Sequence, residues 1–169
     1  MSASVEAPSY RTTLHRKVDI DSDYTGKSVL YVMLNPSYAK PEETDRQTDN
    51  DRTILNLIKL TKHNGFEAFS VVNLFSYVSP RKSDLLKATD PVGANNDANI
   101  IEACKDALKI VVAWGRHENR LIRVRAKHVL AMLRGKELFC FGINADGSPR
   151  HPGRISPTTS YMPYDVPQR

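Results

Sequence analysis

The chain has 169 residues, 40% hydrophobic and 25% charged, with a formal net charge of +5, and that length suits one domain able to bury a core without disulfide or metal staples. No apolar run approaches the roughly 20 residues that cross a bilayer, so no membrane-spanning helix is expected. The opening MSASVEAPSY lacks the basic and apolar regions of a signal peptide, which points to a cytoplasmic location, and the positive balance favours polyanionic partners.

In chain order, residues 10–20 alternate weakly between apolar and polar, a pattern that suits an added edge strand. Residues 29–34 form the first of four short apolar runs; the others are 68–74, 108–114 and 137–141. None alternates cleanly, so both faces of each strand are expected to be covered, as in a parallel sheet. Between the first two runs, Ile54, Leu57, Ile58 and Leu60 recur at helical spacing, and His63-Asn64-Gly65 supplies a stop. Residues 96–107 place Ile100, Ile101, Cys104 and Ala107 on one helical side, with Asn95, Asn96 or Asp97 as cap. A further helix is expected from about 117 to 133, closing at Gly135. Strands alternating with helices predict an α/β fold, a three-layer α/β/α sandwich around a short, mainly parallel four-stranded sheet. The expected organisation is a single domain over 1–169, with 1–9 and 157–169 as flexible or irregular tails. Cys104 and Cys140 lie in apolar surroundings and read as reduced, buried thiols.

Polar or rigid residues fall where each strand should end. Asn35-Pro36-Ser37 follows the first, Asn73 ends the second, Trp114-Gly115-Arg116 follows the third, and Arg150-His151-Pro152 comes after the fourth. In an open parallel sheet, ligands bind beyond the carboxyl ends of the strands. Each element singly also fits an ordinary turn; their convergence on one rim favours a site. The basic run from Arg116 to Lys136 reads either as the solvated face of an amphipathic helix or as a phosphate-contacting flank. In the acidic stretch 42–51, Asp45, Asp49 and Asp51 lack the ligand spacing of a calcium loop, so solvated charge is expected, with no metal and no cofactor.

VMLNPSYA, DNDRTI, VVNLFS, VVAWGRH and GSPRHPG, in that order over nearly the whole chain, resemble the bacterial and phage domain-of-unknown-function family 1643. The same landmarks are similar to a short, distant form of the uracil-DNA glycosylase superfamily, whose motifs follow the first and last strands. That resemblance implies a uracil-glycosylase-like fold and hydrolysis of the N-glycosidic bond of a deaminated or modified base, with DNA or a nucleotide as partner. It makes Asn35 the residue positioning water and His151 the donor to the departing base. Pro36, Ser37 and Asn73 become base-binding residues, and Arg154 and Ile155 fall in the loop that enters the minor groove, Ile155 as a wedge into the space of a flipped base. From the residues themselves, Phe75 and Tyr77 read either as ordinary loop packing or as a stacking, base-binding face, and Arg116, Arg120 and Arg150 as nucleic-acid-binding cations offered to phosphate. The chain departs from the superfamily pattern at Met33, Ser37 and Gly153. Two alternatives stay open: a non-catalytic protein binding a modified base or nucleotide, and an enzyme acting on free nucleotides in phage-related base modification or defence.

Overall fold

The computed structural model describes residues 9–19, 25–37 and 51–166. In chain order its elements are β1 (Leu14–Lys17), β2 (Ser28–Met33), α1 (Arg52–His63), β3 (Ala68–Asn73), α2 (Lys82–Lys87), α3 (Asn96–Ala103), β4 (Lys109–Val112), α4 (Arg120–Met132), β5 (Leu138–Cys140) and β6 (Met162–Pro163), with a 3-10 turn at Pro152–Arg154 before β6. The strands make one sheet in the order β1-β3-β2-β4-β5-β6. Its inner four strands are parallel, and β1 and β6 add antiparallel edges to β3 and β5.

The expected mixed α/β architecture is present, and the four inner strands match the apolar runs. The sheet, however, has six strands and not four. β1 forms where the weak alternation was noted. β6 arises in the stretch expected to be an irregular tail, where the Tyr164 amide donates to the Leu138 carbonyl at 2.8 Å and the Tyr164 ring is buried. Two residues carry no readable period, which is why the pattern concealed the strand. α2 escaped notice for a similar reason, since only Leu85 of its six residues is buried. α4 begins at Arg120 and not near 117, because the Asn119 side chain caps it, accepting from the Leu121 amide at 2.9 Å. α3 stops at Ala103, with Cys104 as its C-cap.

Side-chain alternation along the inner strands divides the core between two faces. Val29, Tyr31 and Met33 of β2 share one face with Phe69 and Val71 of β3 and pack on Ile54, Leu57 and Leu60 of α1. Leu30 and Val32 of β2 pack on the other with Ile100 of α3 and Ile122, Val129 and Leu130 of α4. Burying each such large apolar side chain contributes about 1.5–3 kcal/mol. The α1 face also holds a hydroxyl chain: Tyr31 bonds Thr61 Oγ1 at 2.8 Å and the Tyr161 hydroxyl at 2.5 Å. Burial pushes the Tyr161 phenol up to about 12.

The connections after β2 and β4 run to opposite faces of the sheet, α1 to one and α4 to the other. α1 leads to β3 on one flank of β2, and the chain then crosses to β4 on the other flank. A crevice opens at such a switch point beyond the strand carboxyl ends. Its far edge is braced by two buried polar side chains. Asn96, 1% exposed, donates from Nδ2 to the carbonyls of Asn73 (3.0 Å) and Leu74 (3.1 Å), and Arg125 donates from Nε to the Leu74 carbonyl at 2.7 Å while its Nη2 pairs with Asp97 at 2.6 Å. Substituting Asn96→Ala strands the Asn73 carbonyl away from water and is expected to cost about 1–3 kcal/mol in urea unfolding. An unchanged midpoint would assign the brace to Arg125 alone.

Candidate functional site

The site is organised by the first turn of α1. Asp51 is its N-cap, with Oδ1 accepting from the Ile54 amide at 2.9 Å. Its other carboxylate oxygen accepts a short hydrogen bond from the Ser37 hydroxyl. The corner after β2 is thus fastened to the helix through Ser37. Asn35 fastens the same corner to the loop after β3: its Nδ2 donates to the Ser79 carbonyl at 2.7 Å and to the Pro36 carbonyl at 3.0 Å, and the Ser79 amide donates to the Pro36 carbonyl at 2.9 Å. With the amide hydrogens committed to main chain, Oδ1 is the acceptor that Asn35 retains.

The second corner docks on the same end of the helix. Asn56 of α1 donates from Nδ2 to the Pro152 carbonyl at 2.6 Å and to the Ile155 carbonyl at 3.2 Å. A Cβ added at Gly153 would stand 3.4 Å from Thr53 Oγ1, so the 3-10 turn lies directly against α1. His151 caps that turn, its Nδ1 accepting from the Gly153 amide at 3.1 Å. The neutral ring therefore carries its proton on Nε2 and presents a donor there.

A third loop closes the crevice. Gly115 has φ +82°, and a Cβ there would approach His151 Cβ to 3.1 Å, so only glycine lets the backbone after β4 pass behind the histidine. His117, two residues on, bonds the Trp114 carbonyl through Nε2 at 2.6 Å. A carbonyl can only accept, so Nε2 carries the proton and Nδ1, which is buried without a partner among the described residues, holds a lone pair.

Charge within this cluster is graded. The His151 ring keeps an exposed face, and the atoms packed around the rest of it desolvate it and lower its pKa, helped by His117 and Arg154 and opposed by Asp51. Burial also lowers His117, with Lys82 adding to the effect and the Trp114 carbonyl and Asp146 opposing it. Burial depresses the Arg11 guanidinium against the attraction of Asp51, so a half-buried cation faces the same carboxylate.

Of the residues expected at the site, Pro36 is buried and Ser37 half-buried in the first corner, and His151 sits in the second. Asn73 is 3% exposed at the end of β3, its carbonyl taken by Asn96 and its side-chain amide without a hydrogen bond among the described residues. The strand parity of 69, 71 and 73 puts it on the α1 face beside Met33, its ladder partner. Phe75 must be corrected: it is 0% exposed within the core packed on α3 and α4, and offers no face to a base. Ile155 is also not a free wedge, because it packs against the α1-side core and its carbonyl is held by Asn56. Arg116, Arg120, Arg150 and Arg154 are exposed around the rim. Arg116 is drawn to Glu118 at 3.4 Å and Asp146 at 3.5 Å, and Arg150 packs its stem under Gly142. Asp45 and Asp49 lie outside the described residues.

Asp51, expected as solvated loop charge, is instead half-buried as the cap of α1 and the partner of Ser37. Asn56 and His117 are site residues that the sequence does not single out, although His117 stands in the VVAWGRH stretch beside Arg116. The DNDRTI stretch holds Asp51, whose placement directly before an apolar helical period is the sequence signature of an N-cap.

The two histidines give the fold a pH dependence with a definite sign. In the unfolded chain both rings take up protons near pH 6.5; in the folded protein they do so only at lower pH. Through that window the unfolded chain binds more protons, so stability falls as the solution is acidified below about pH 6.5 and is insensitive to these groups above it. Thermal unfolding should show a falling Tm from neutral pH toward pH 5, with a shallower slope in His117→Gln. Parallel slopes would locate the acid sensitivity elsewhere.

No curated protein and no solved structure matches the chain. One family model does, over residues 11–153, which take in both corners, β1 to β5 and all four helices. Its description is a protein of unknown function, DUF1643, and the chain belongs to that family.

Proposed function

We propose that the chain binds a nucleobase in the crevice beyond β2 and β4 and hydrolyses the N-glycosidic bond of a deaminated or modified base, in the manner of a short uracil-DNA-glycosylase-like protein. The observation that carries this reading is the docking of both corners on the N-terminal end of α1, Ser37 on Asp51 and the loop around Pro152 on Asn56, which brings the Asn35–Ser37 segment and His151 to the same helix end. Breaking the bond leaves positive charge on the sugar and negative charge on the base, so the reaction needs a donor at the departing base and an acceptor that orients water. His151, held as the tautomer with hydrogen on Nε2, supplies the donor. Asn35, anchored through its amide nitrogen, supplies Oδ1 for the water. The water oxygen bonds to the sugar carbon as the base leaves with the bonding pair and takes up a proton.

Asn73 supports the reading as the residue contacting the edge of the base: a nearly buried amide without a hydrogen bond among the described residues has its donor and acceptor free for a ligand. Pro36 and Ser37 shape the floor. Asp51 is a positioning residue, since one oxygen caps α1 and the other holds Ser37. A second reading, a protein that recognises a modified base without cleaving it, is favoured by the commitment of the Asn35 amide to main-chain bracing.

The deciding experiment is alkaline strand cleavage on end-labelled oligonucleotides carrying uracil, hypoxanthine, xanthine or hydroxymethyluracil. Wild type should leave abasic sites at one of these bases. His151→Ala is expected to lower turnover by about 100-fold, the usual loss for one donor to a developing anion, with a much smaller change in binding. Equal losses in turnover and binding would remove the proposed role of His151, and binding without any abasic product would identify a reader.

A further inference from the structure

We propose that the groove alongside α4 is a track for a single polynucleotide strand, so that the base taken by the crevice belongs to a polymer and not to a free nucleotide. The proposal rests on the nucleobase reading of the crevice and names its substrate class. The groove encloses about 1030 Å³ between α4 on one side and the turn at 146–148, Leu138, Tyr164 and Val166 on the other. It begins at Trp114, Gly115 and His117, where Gly115 lies against His151, and it ends at Gly135 and Lys136 beyond the far end of α4. The 13 residues of α4 span about 20 Å at 1.5 Å per residue.

Charge along this path is one-sided. Arg120, Arg123, Lys127, Arg134 and Lys136 line it, against Asp146 as the one carboxylate among the described lining residues. None of the five cations has an ion pair among the described residues. Elsewhere Lys105 is paired with Glu102 at 2.5 Å, and Arg125 with Asp97. Unneutralised cations spread over the length of a helix fit the repeating charge of a phosphodiester backbone, whereas a mononucleotide needs one cluster. The walls between them are apolar, with Val124 56% and Val166 44% exposed, which suits sugars and base faces. Apolar side chains between the cations favour a strand whose bases are free to pack on them, which a duplex keeps inside its stack.

The test is fluorescence anisotropy with a labelled oligothymidylate of about a dozen nucleotides and no modified base, against a duplex of the same length, over a series of salt concentrations. Wild type should bind the single strand more tightly than the duplex, and thymidine monophosphate should compete poorly. Each double variant, Arg123→Ala with Lys127→Ala and Arg134→Ala with Lys136→Ala, should weaken binding and flatten the slope of log affinity against log salt by about 0.7 per phosphate contact removed. Lys105→Ala should bind as wild type. Wild-type affinity in both double variants, tighter binding of the duplex, ready competition by the monophosphate or no binding at all would each overturn the track. The two proposals fail separately. Single-strand binding through α4 with no base released from any oligonucleotide sinks the chemistry and keeps the track; wild-type base release by both double variants sinks the track and keeps the chemistry.

Discussion

Everything at the strand-end crevice depends on the first turn of α1. A helix begins with amide groups that have no partner in the preceding turn, and Asp51 satisfies one of them. That one carboxylate also holds Ser37, while Asn56, on the next exposed stretch of the same helix, holds the loop around Pro152. Two segments more than a hundred residues apart in sequence are thereby brought to a common anchor. The anchor is rigid because the opposite side of the helix, through Ile54, Leu57 and Leu60, is buried against the sheet. Local capping, packing and site geometry are thus one arrangement seen at three scales.

The sheet contributes the crevice itself. Parallel strands β2 and β4 stand side by side while their connections diverge to opposite faces, which opens a gap at their carboxyl ends. Polar bracing then joins the apolar packing of Leu34, Leu74 and Trp114, just past the strand ends, in fixing the rim. Asn35, Asn96 and Arg125 all spend side-chain nitrogens on main-chain carbonyls at the strand exits. Buried carbonyls at those positions would otherwise be costly.

Much of this was legible in the residues. The apolar runs located the four inner strands because strands covered on both faces need continuous apolar sequence. Asn35-Pro36-Ser37 and Arg150-His151-Pro152 were readable because proline and the polar residues around it break a strand in only a few ways. Phe75 was misread for the opposite reason: a side chain just past a strand can turn to either face, and packing on α3 and α4, which involves distant residues, decided the outcome. Ile155 was captured in the same way by the α1 side. His117 ends the VVAWGRH landmark, but its place beside the second corner comes from Gly115 letting the backbone turn toward His151, a contact that spacing alone does not encode.

The edge of the sheet at β6 has a bearing on how copies of the chain behave toward each other. β5 has only three residues, and its outer hydrogen-bonding groups would form an open template for another strand if left bare. β6 covers that template with two residues, the second of them Pro163, which lacks an amide hydrogen to offer. So brief a strand, ending on proline, gives an incoming strand little to pair with. The segment that completes one wall of the basic groove through Tyr164 and Val166 therefore also blunts this edge of the sheet.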